Sequence, residues 1–181
     1  MGGIAMTKRI EVSTRLADWA RSGGWRLSEA EDGRPMFWKE GGQLRYLIGA
    51  NDDGWLVITH SDRSGPEHLV LAAPSMETIE RYLFGDIGSS VREHRGLPDV
   101  REPLSRDEIA PGFTLGTRAF EGVEDRMALI DSGGALVAVS SRDPWTGTDR
   151  LVRLSVYITA NTDDIVASFL DPEGKPLFSL R

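Results

Sequence analysis

The sequence contains no cysteine and no long apolar run. The absence of cysteine excludes disulfide frameworks and thiolate chemistry, and it removes most structural zinc schemes. No stretch approaches the roughly 18 consecutive apolar residues that a membrane-spanning helix needs, and no signal peptide is visible. We therefore expect a soluble cytoplasmic protein that does not contact membranes.

Basic residues are the minority charge, since 21 Lys and Arg against 28 Asp and Glu give a net charge of −7. Nucleic acid is not expected as a partner, because phosphate contacts need clustered Lys and Arg. An acidic surface suits a basic protein partner, and it equally serves solubility alone. Both interpretations of the charge stay open from the sequence.

Residues 75–96 carry the strongest helical pattern in the chain. Its apolar side chains share one face of a helix, namely Met76, Ile79, Leu83, Ile87 and Val91. Ser75 is a suitable N-cap. Gly85 and Gly88 each cost about 1 kcal/mol relative to alanine inside a helix. We therefore predict a break at residues 84–88 and a second helix from Ser90.

Most of the remaining chain alternates apolar and polar residues between Gly- and Asp-rich turns, which is typical of half-buried strands. We predict strands at residues 25–29, 35–40, 43–50, 55–60, 67–72, 113–120, 126–131, 135–141, 149–159 and 177–180. Residues 13–22 form a short N-terminal helix, and Asn161 caps a second amphipathic helix. The predicted fold class is α+β, mainly antiparallel β-meanders.

The chain divides by composition into four parts. Residues 1–5 look like a cloning remnant before a start at Met6. Residues 6–96 hold the first meander and helix. Residues 97–112 form a charged, proline-containing connector with one helical turn at 105–109, and residues 113–181 hold the second meander and helix. Weak internal similarity leaves two alternatives, a duplication of similar halves or one merged unit.

Reactive groups show no catalytic or metal-binding pattern. His60, Ser61 and Asp62 are triad residue types, but neighbours on a strand and turn seldom converge on one reacting atom. His68 and His94 lack metal-ligand spacing, and the glycines lie in hairpin turns instead of a phosphate loop. We expect no cofactor, no metal and no enzyme activity.

Trp145 is the tryptophan that the pattern does not place in the core. It lies in residues 142–148, between acids and turn formers, which predicts an exposed loop. An exposed aromatic residue is a frequent interface anchor. A tryptophan folded back over the sheet is the alternative.

Several short stretches together carry a family resemblance: residues 16–19 with 24–25, then 54–58, 79–85, 91–92 and 96–97. They resemble the antitoxins that protect mycobacteria from the tuberculosis necrotizing toxin, an NAD glycohydrolase. The resemblance implies a non-enzymatic cytoplasmic inhibitor that binds the toxin domain in a 1:1 heterodimer and denies NAD access to its cleft. A cytoplasmic secretion chaperone or adaptor that does not inhibit an enzyme is the alternative.

Exposed turn residues are the expected contacts with such a partner, because turns vary without disturbing the core. We predict that acidic turns and the loop around Trp145 enter a cleft built for an anionic dinucleotide. The predicted toxin-binding residues are Asp52, Asp53, Asp62, Arg63, Asp143 and Trp145.

Overall fold

The computed structural model describes residues 9–41, 44–62 and 65–181, so the predicted remnant at residues 1–5 and the predicted contact Arg63 lie outside it. Within these ranges there are four α-helices, α1 (Thr14–Ser22), α2 (Met76–His94), α3 (Pro144–Thr159) and α4 (Thr162–Leu170). The strands are β1 (Trp25–Glu29), β2 (Pro35–Lys39), β3 (Leu44–Ala50), β4 (Leu56–Asp62), β5 (His68–Ala73), β6 (Val100–Arg101), β7 (Phe113–Phe120), β8 (Val123–Asp131), β9 (Leu136–Ser140) and β10 (Ser179–Leu180).

Eight strands form one sheet in the order β1-β2-β3-β4-β5-β9-β8-β7, and every neighbouring pair is antiparallel. The predicted α+β class is confirmed. Strand β5 pairs with β9 through Leu71 opposite Ser140 and Ala72 opposite Val139. Strands from both sides of residues 97–112 therefore share one sheet. The weak internal repeat itself stays a prediction.

The hairpin turn between β3 and β4 shows how local sequence fixes this sheet. Asn51 accepts hydrogen bonds from the backbone N–H groups of Asp53 (3.1 Å) and Trp55 (2.9 Å), which closes the turn. Gly54 adopts φ +81, a conformation that glycine reaches without a Cβ penalty. Seven consecutive residue pairs then follow between the two strands, from Ala50 opposite Leu56 outward.

Helices α1, α2 and α3 pack against the sheet, α4 packs against α2, and the core lies between these helices and the sheet. Strand residues such as Phe37, Ile48 and Ile58 are fully buried there against Ile79 and Leu83 of α2. Helix α1 adds Trp19, whose indole N–H donates to the Phe84 carbonyl at 2.9 Å. Burying side chains of this size contributes about 2 kcal/mol each to stability.

Helix α2 is continuous, so the predicted break at residues 84–88 and the restart at Ser90 are wrong. A Cβ added to Gly85 would lie under 3.0 Å from the Tyr157 ring of α3, and one added to Gly88 would lie as close to the Phe169 ring of α4. Both glycines are buried. They are therefore close-packing positions where two helices approach α2, and that packing outweighs their low helix propensity.

Helix α3 replaces the strand predicted at residues 149–159 and the loop predicted at 142–148. Asp143 is its N-cap, accepting from the Thr146 N–H at 2.7 Å, and Pro144 occupies the first turn, where its missing N–H costs nothing. Trp145 consequently lies on a helix instead of a loop.

The predicted connector, residues 97–112, contains a short strand and a helical turn. Its helical turn is confirmed as a 3-10 helix at Arg106–Glu108, where the Glu108 carboxylate accepts from Ser105 N (3.1 Å) and Oγ (2.8 Å). The predicted last strand is present only as β10, which pairs with β6 in a separate two-stranded ribbon.

Two arginines of α2 hold the C-terminal ends of the other long helices. Arg81 donates to the carbonyls of Tyr157 and Ala160 at the end of α3. Arg92, 1% exposed, donates to Phe169 (3.1 Å) and to other carbonyls around the end of α4. Helix ends carry unsatisfied carbonyls and partial negative charge, so these guanidinium groups fix α3 and α4 on α2.

Candidate functional site

A group of buried titratable side chains lies between α2, α3, β3 and the connector. Asp86 accepts from the Tyr46 hydroxyl at 2.8 Å, and Glu102 accepts from the Tyr157 hydroxyl at 2.6 Å. Arg153 lies between the two carboxylates, 3.7 Å from each. Burial raises the pKa of Glu102 and of both tyrosines. We call these residues the buried cluster.

The buried cluster has the geometry of a structural junction. Its carboxylates are engaged by hydroxyl groups and by Arg153, and the raised tyrosine pKa values keep the phenols protonated. Glu102 borders a cavity of about 280 Å³ beside Arg101 and Glu108, whereas the other members line neither that cavity nor the three described below. Across the described ranges, no three His, Cys, Asp or Glu residues are placed to hold a metal ion. The cluster therefore ties connector, helices and sheet together.

The predicted contact residues separate into two groups. Asp52 and Asp53 lie in the turn between β3 and β4, and Asp62 ends β4 at its far end. Seven strand residues at about 3.3 Å each place roughly 20 Å between them. The geometry therefore does not bring these predicted contacts together.

Asp143 and Trp145 lie at the same end of the sheet as Asp62. Ser140, the last residue of β9, lies opposite Leu71 of β5, and α3 begins four residues later at Pro144. Asp143 is fully exposed, and its hydrogen bond from the Thr146 N–H lowers its pKa, so the carboxylate stays ionised while it caps the helix. Trp145 is 86% exposed, in agreement with the expected exposure.

The other end of the sheet carries a groove that sequence reasoning missed. Three cavities of about 580, 450 and 730 Å³ adjoin one another there, and Arg9 and Ile10 line all three. The 580 Å³ cavity extends from the turn between β1 and β2 to Asn51, and to Glu121 of the turn between β7 and β8. We call this surface the acidic groove.

Acidic residues dominate the acidic groove. Four acidic residues line its cavities: Glu11, Glu29, Asp32 and Glu121. Three more lie beside them in the neighbouring turns: Glu31, Asp52 and Asp53. The described basic residues there are Arg9 and Arg34, so the groove carries a net charge of −5. Most of the chain's net charge of −7 is therefore gathered around the groove.

Both groove arginines are already neutralised by carboxylates. Arg9 Nη2 lies 2.7 Å from Glu29 Oε2. Arg34 donates from both Nη atoms to Glu67 at 2.7 and 2.8 Å, and from Nε to Asp32 at 2.8 Å. These hydrogen bonds lower the pKa of Glu67 and of Asp32, so both stay ionised. The field at the groove is therefore set by the remaining acids.

The helices also bear on whether the chain can cross a membrane. Within the described ranges, no helix combines the length and the apolar character that crossing a bilayer requires.

Comparisons with known proteins give a consistent result. A family model described as Immunity protein 61 matches residues 19–177. The chain is 46% identical over 178 residues to the Mycobacterium tuberculosis (strain ATCC 25618 / H37Rv) protein named "Immunity factor for TNT", with 97% of each chain covered. It is equally similar to the "Immunity factor for TNT homolog" of Mycobacterium bovis (strain BCG / Pasteur 1173P2). A solved structure described as Rv3902c from M. tuberculosis superposes with a TM-score of 0.87 at 43% identity, covering 97% of this chain and 98% of that one.

Proposed function

Because the chain belongs to the Immunity protein 61 family, we propose that it is a cytoplasmic antitoxin that binds a toxin of the TNT kind, an NAD glycohydrolase, in a 1:1 complex. The observation that carries the proposal is the 46% identity, spanning 97% of both chains, with proteins named as immunity factors for TNT.

The inhibitor acts by occupying the toxin's NAD-binding cleft and catalyses no reaction. The buried cluster supports this part of the proposal, because its titratable groups are paired with one another and with hydroxyls. A catalytic site needs a reacting group within reach of a substrate-sized opening. Inhibition by binding requires only a complementary surface with a few anchors.

Either of two surfaces could contact the toxin, the one around Asp52 and Asp53 or the one around Trp145. They lie too far apart to enter a single cleft together. Carboxylates from Asp52 and Asp53 fit a cleft that binds an anionic dinucleotide, because such a cleft presents cationic groups. The opposite end offers Trp145 as an aromatic anchor, beside Asp62 and Asp143. Arg63, the sixth predicted contact, lies outside the described residues.

Titration of the purified toxin domain with this protein tests the proposal. NAD turnover should fall to zero at one molar equivalent, and light scattering should give the mass of a 1:1 heterodimer. Binding with undiminished NAD turnover would favour the secretion chaperone or adaptor. Asp52→Asn with Asp53→Asn and, separately, Trp145→Ala then show which end of the sheet is required.

A further inference from the structure

We propose that the acidic groove is the docking site for a cationic segment of the toxin, with one Lys or Arg side chain inserted into the cavity between Ile10, Val57 and Glu121. This inference rests on the proposed function and deepens it, because it selects one end of the sheet and states the chemistry of the partner segment.

The cavity has the size and the wall chemistry that a long basic side chain needs. Its volume of about 580 Å³ exceeds that of any side chain, and Ile10, Pro35 and Val57 give it apolar walls. Lys and Arg bury their aliphatic stems against such walls while the charged head stays at a polar rim. The rim supplies the carboxylate of Glu121, while that of Asp32 is already shared with Arg34.

The charge of the surrounding surface favours the same occupant. Among the described residues, Glu11, Glu31, Asp52, Asp53 and Glu121 have no basic group within ion-pair distance, while both groove arginines are neutralised. An anionic segment would meet repulsion from this surface. A cationic segment would gain attraction both during the approach and after docking.

The construction of the groove indicates a preformed surface. Arg34 crosses Gly49, where an added Cβ would lie 3.2 Å from Arg34 Cδ, and it joins the turn before β2 to Glu67. The Thr59 hydroxyl donates to the same Glu67 carboxylate. Trp55 meets Phe120 with ring centroids 5.6 Å apart, which holds the turn between β7 and β8 over the sheet. A groove held in this way loses little entropy when a partner docks.

Charge removal provides the first test. Asp52→Asn, Asp53→Asn and Glu121→Gln are combined in one variant, and its association rate with the toxin is measured by surface plasmon resonance across a salt series. We expect roughly a ten-fold slower association at low salt and a weaker dependence on ionic strength. The control combines Glu93→Gln, Asp107→Asn and Glu173→Gln, which changes the net charge equally but lies away from the groove.

Blocking the cavity provides the second test and leaves the charge unchanged. Ala50 is exposed and lines two of the cavities, so Ala50→Trp fills space that the inserted side chain needs. We expect the affinity for the toxin to fall about ten-fold or more, while the melting temperature stays unchanged. This variant keeps the inference falsifiable if the triple variant folds poorly.

The outcomes separate the two proposals. If the wild-type protein inhibits the toxin while the groove variants bind like the control, the groove inference is overturned and the proposed function stands. If the wild-type protein neither binds nor inhibits the toxin, both fail. Weakening by the groove variants, with Trp145→Ala binding normally, supports the assignment of this end.

Discussion

Replacing Gly88 by alanine should destabilise the protein, although the same change stabilises most helices. In an open helix the substitution gains about 1 kcal/mol. Here the new Cβ would lie under 3.0 Å from the Phe169 ring, well inside the ordinary contact range of 3.4–4 Å. The ring must retreat by about 1 Å, and close-packed interiors resist such shifts.

The surroundings of Phe169 leave it little room to retreat. It is fully buried, and the Phe178 ring packs on it with centroids 4.9 Å apart. Overpacking of this kind costs typically 1–3 kcal/mol, and we take about 3 kcal/mol for so short an approach. After the helix-propensity gain, the net loss is about 2 kcal/mol, which lowers the urea midpoint by about 1 M.

Urea unfolding followed by circular dichroism measures this loss for Gly88→Ala. Ser89→Ala is the matched control, because Ser89 is the exposed neighbour in the same helix and should be neutral or slightly stabilising. In the Gly88→Ala background, Phe169→Leu should cost less than it does alone, since it relieves the clash. A midpoint for Gly88→Ala at or above the wild-type value would refute the close-packing explanation.

Three further predictions concern other parts of the fold. Arg92→Leu strands buried carbonyls at the end of α4 and should cost about 3 kcal/mol in thermal or urea unfolding, whereas Arg95→Leu, an exposed position, should cost little. Burial, reinforced by the charge of Arg150, lowers the pKa of His60 below 6.5, so the folded state disfavours the charged ring and the free energy of unfolding falls as the pH drops below that value. His60→Gln should therefore weaken the dependence of the melting temperature on pH in this range. An unchanged pH dependence would contradict the assignment to His60. Trp145→Ala should leave the melting temperature unchanged because the side chain is 86% exposed, and a large drop would contradict that placement.

Hairpins were the most predictable part of the structure because their signals are local. The predicted ranges 25–29 and 113–120 match β1 and β7, each marked by alternation between glycine-rich turns. Local alternation fixes which side chains share a face. It does not specify which strand lies beside β5, so no short stretch of sequence predicts the pairing of β5 with β9.

Helix α3 was predicted as a strand because its apolar residues surround much of the helix. Leu151, Val152 and Leu154 are all fully buried, so the helical period is blurred and β-branched residues favour the wrong interpretation. The stronger signal was Asp143 followed by Pro144, an N-cap and first-turn proline that also resemble a turn.

The position of the acidic groove follows partly from the meander and partly from tertiary structure. In an antiparallel meander, alternate turns emerge at the same end of the sheet, so Glu31 and Asp32 necessarily share an end with Asp52 and Asp53. The same rule sends Asp62 to the opposite end, and applying it to the predicted strands would have separated the candidate residues. The register places the turn between β7 and β8 at the Asp62 end of the strands, so Glu121 reaches the groove only because β9 pairs with β5 and Phe120 packs on Trp55. A toxin segment that contacts both Asp53 and Glu121 therefore recognises the completed sheet, and it would bind weakly to a chain in which the two parts of the sheet have not joined.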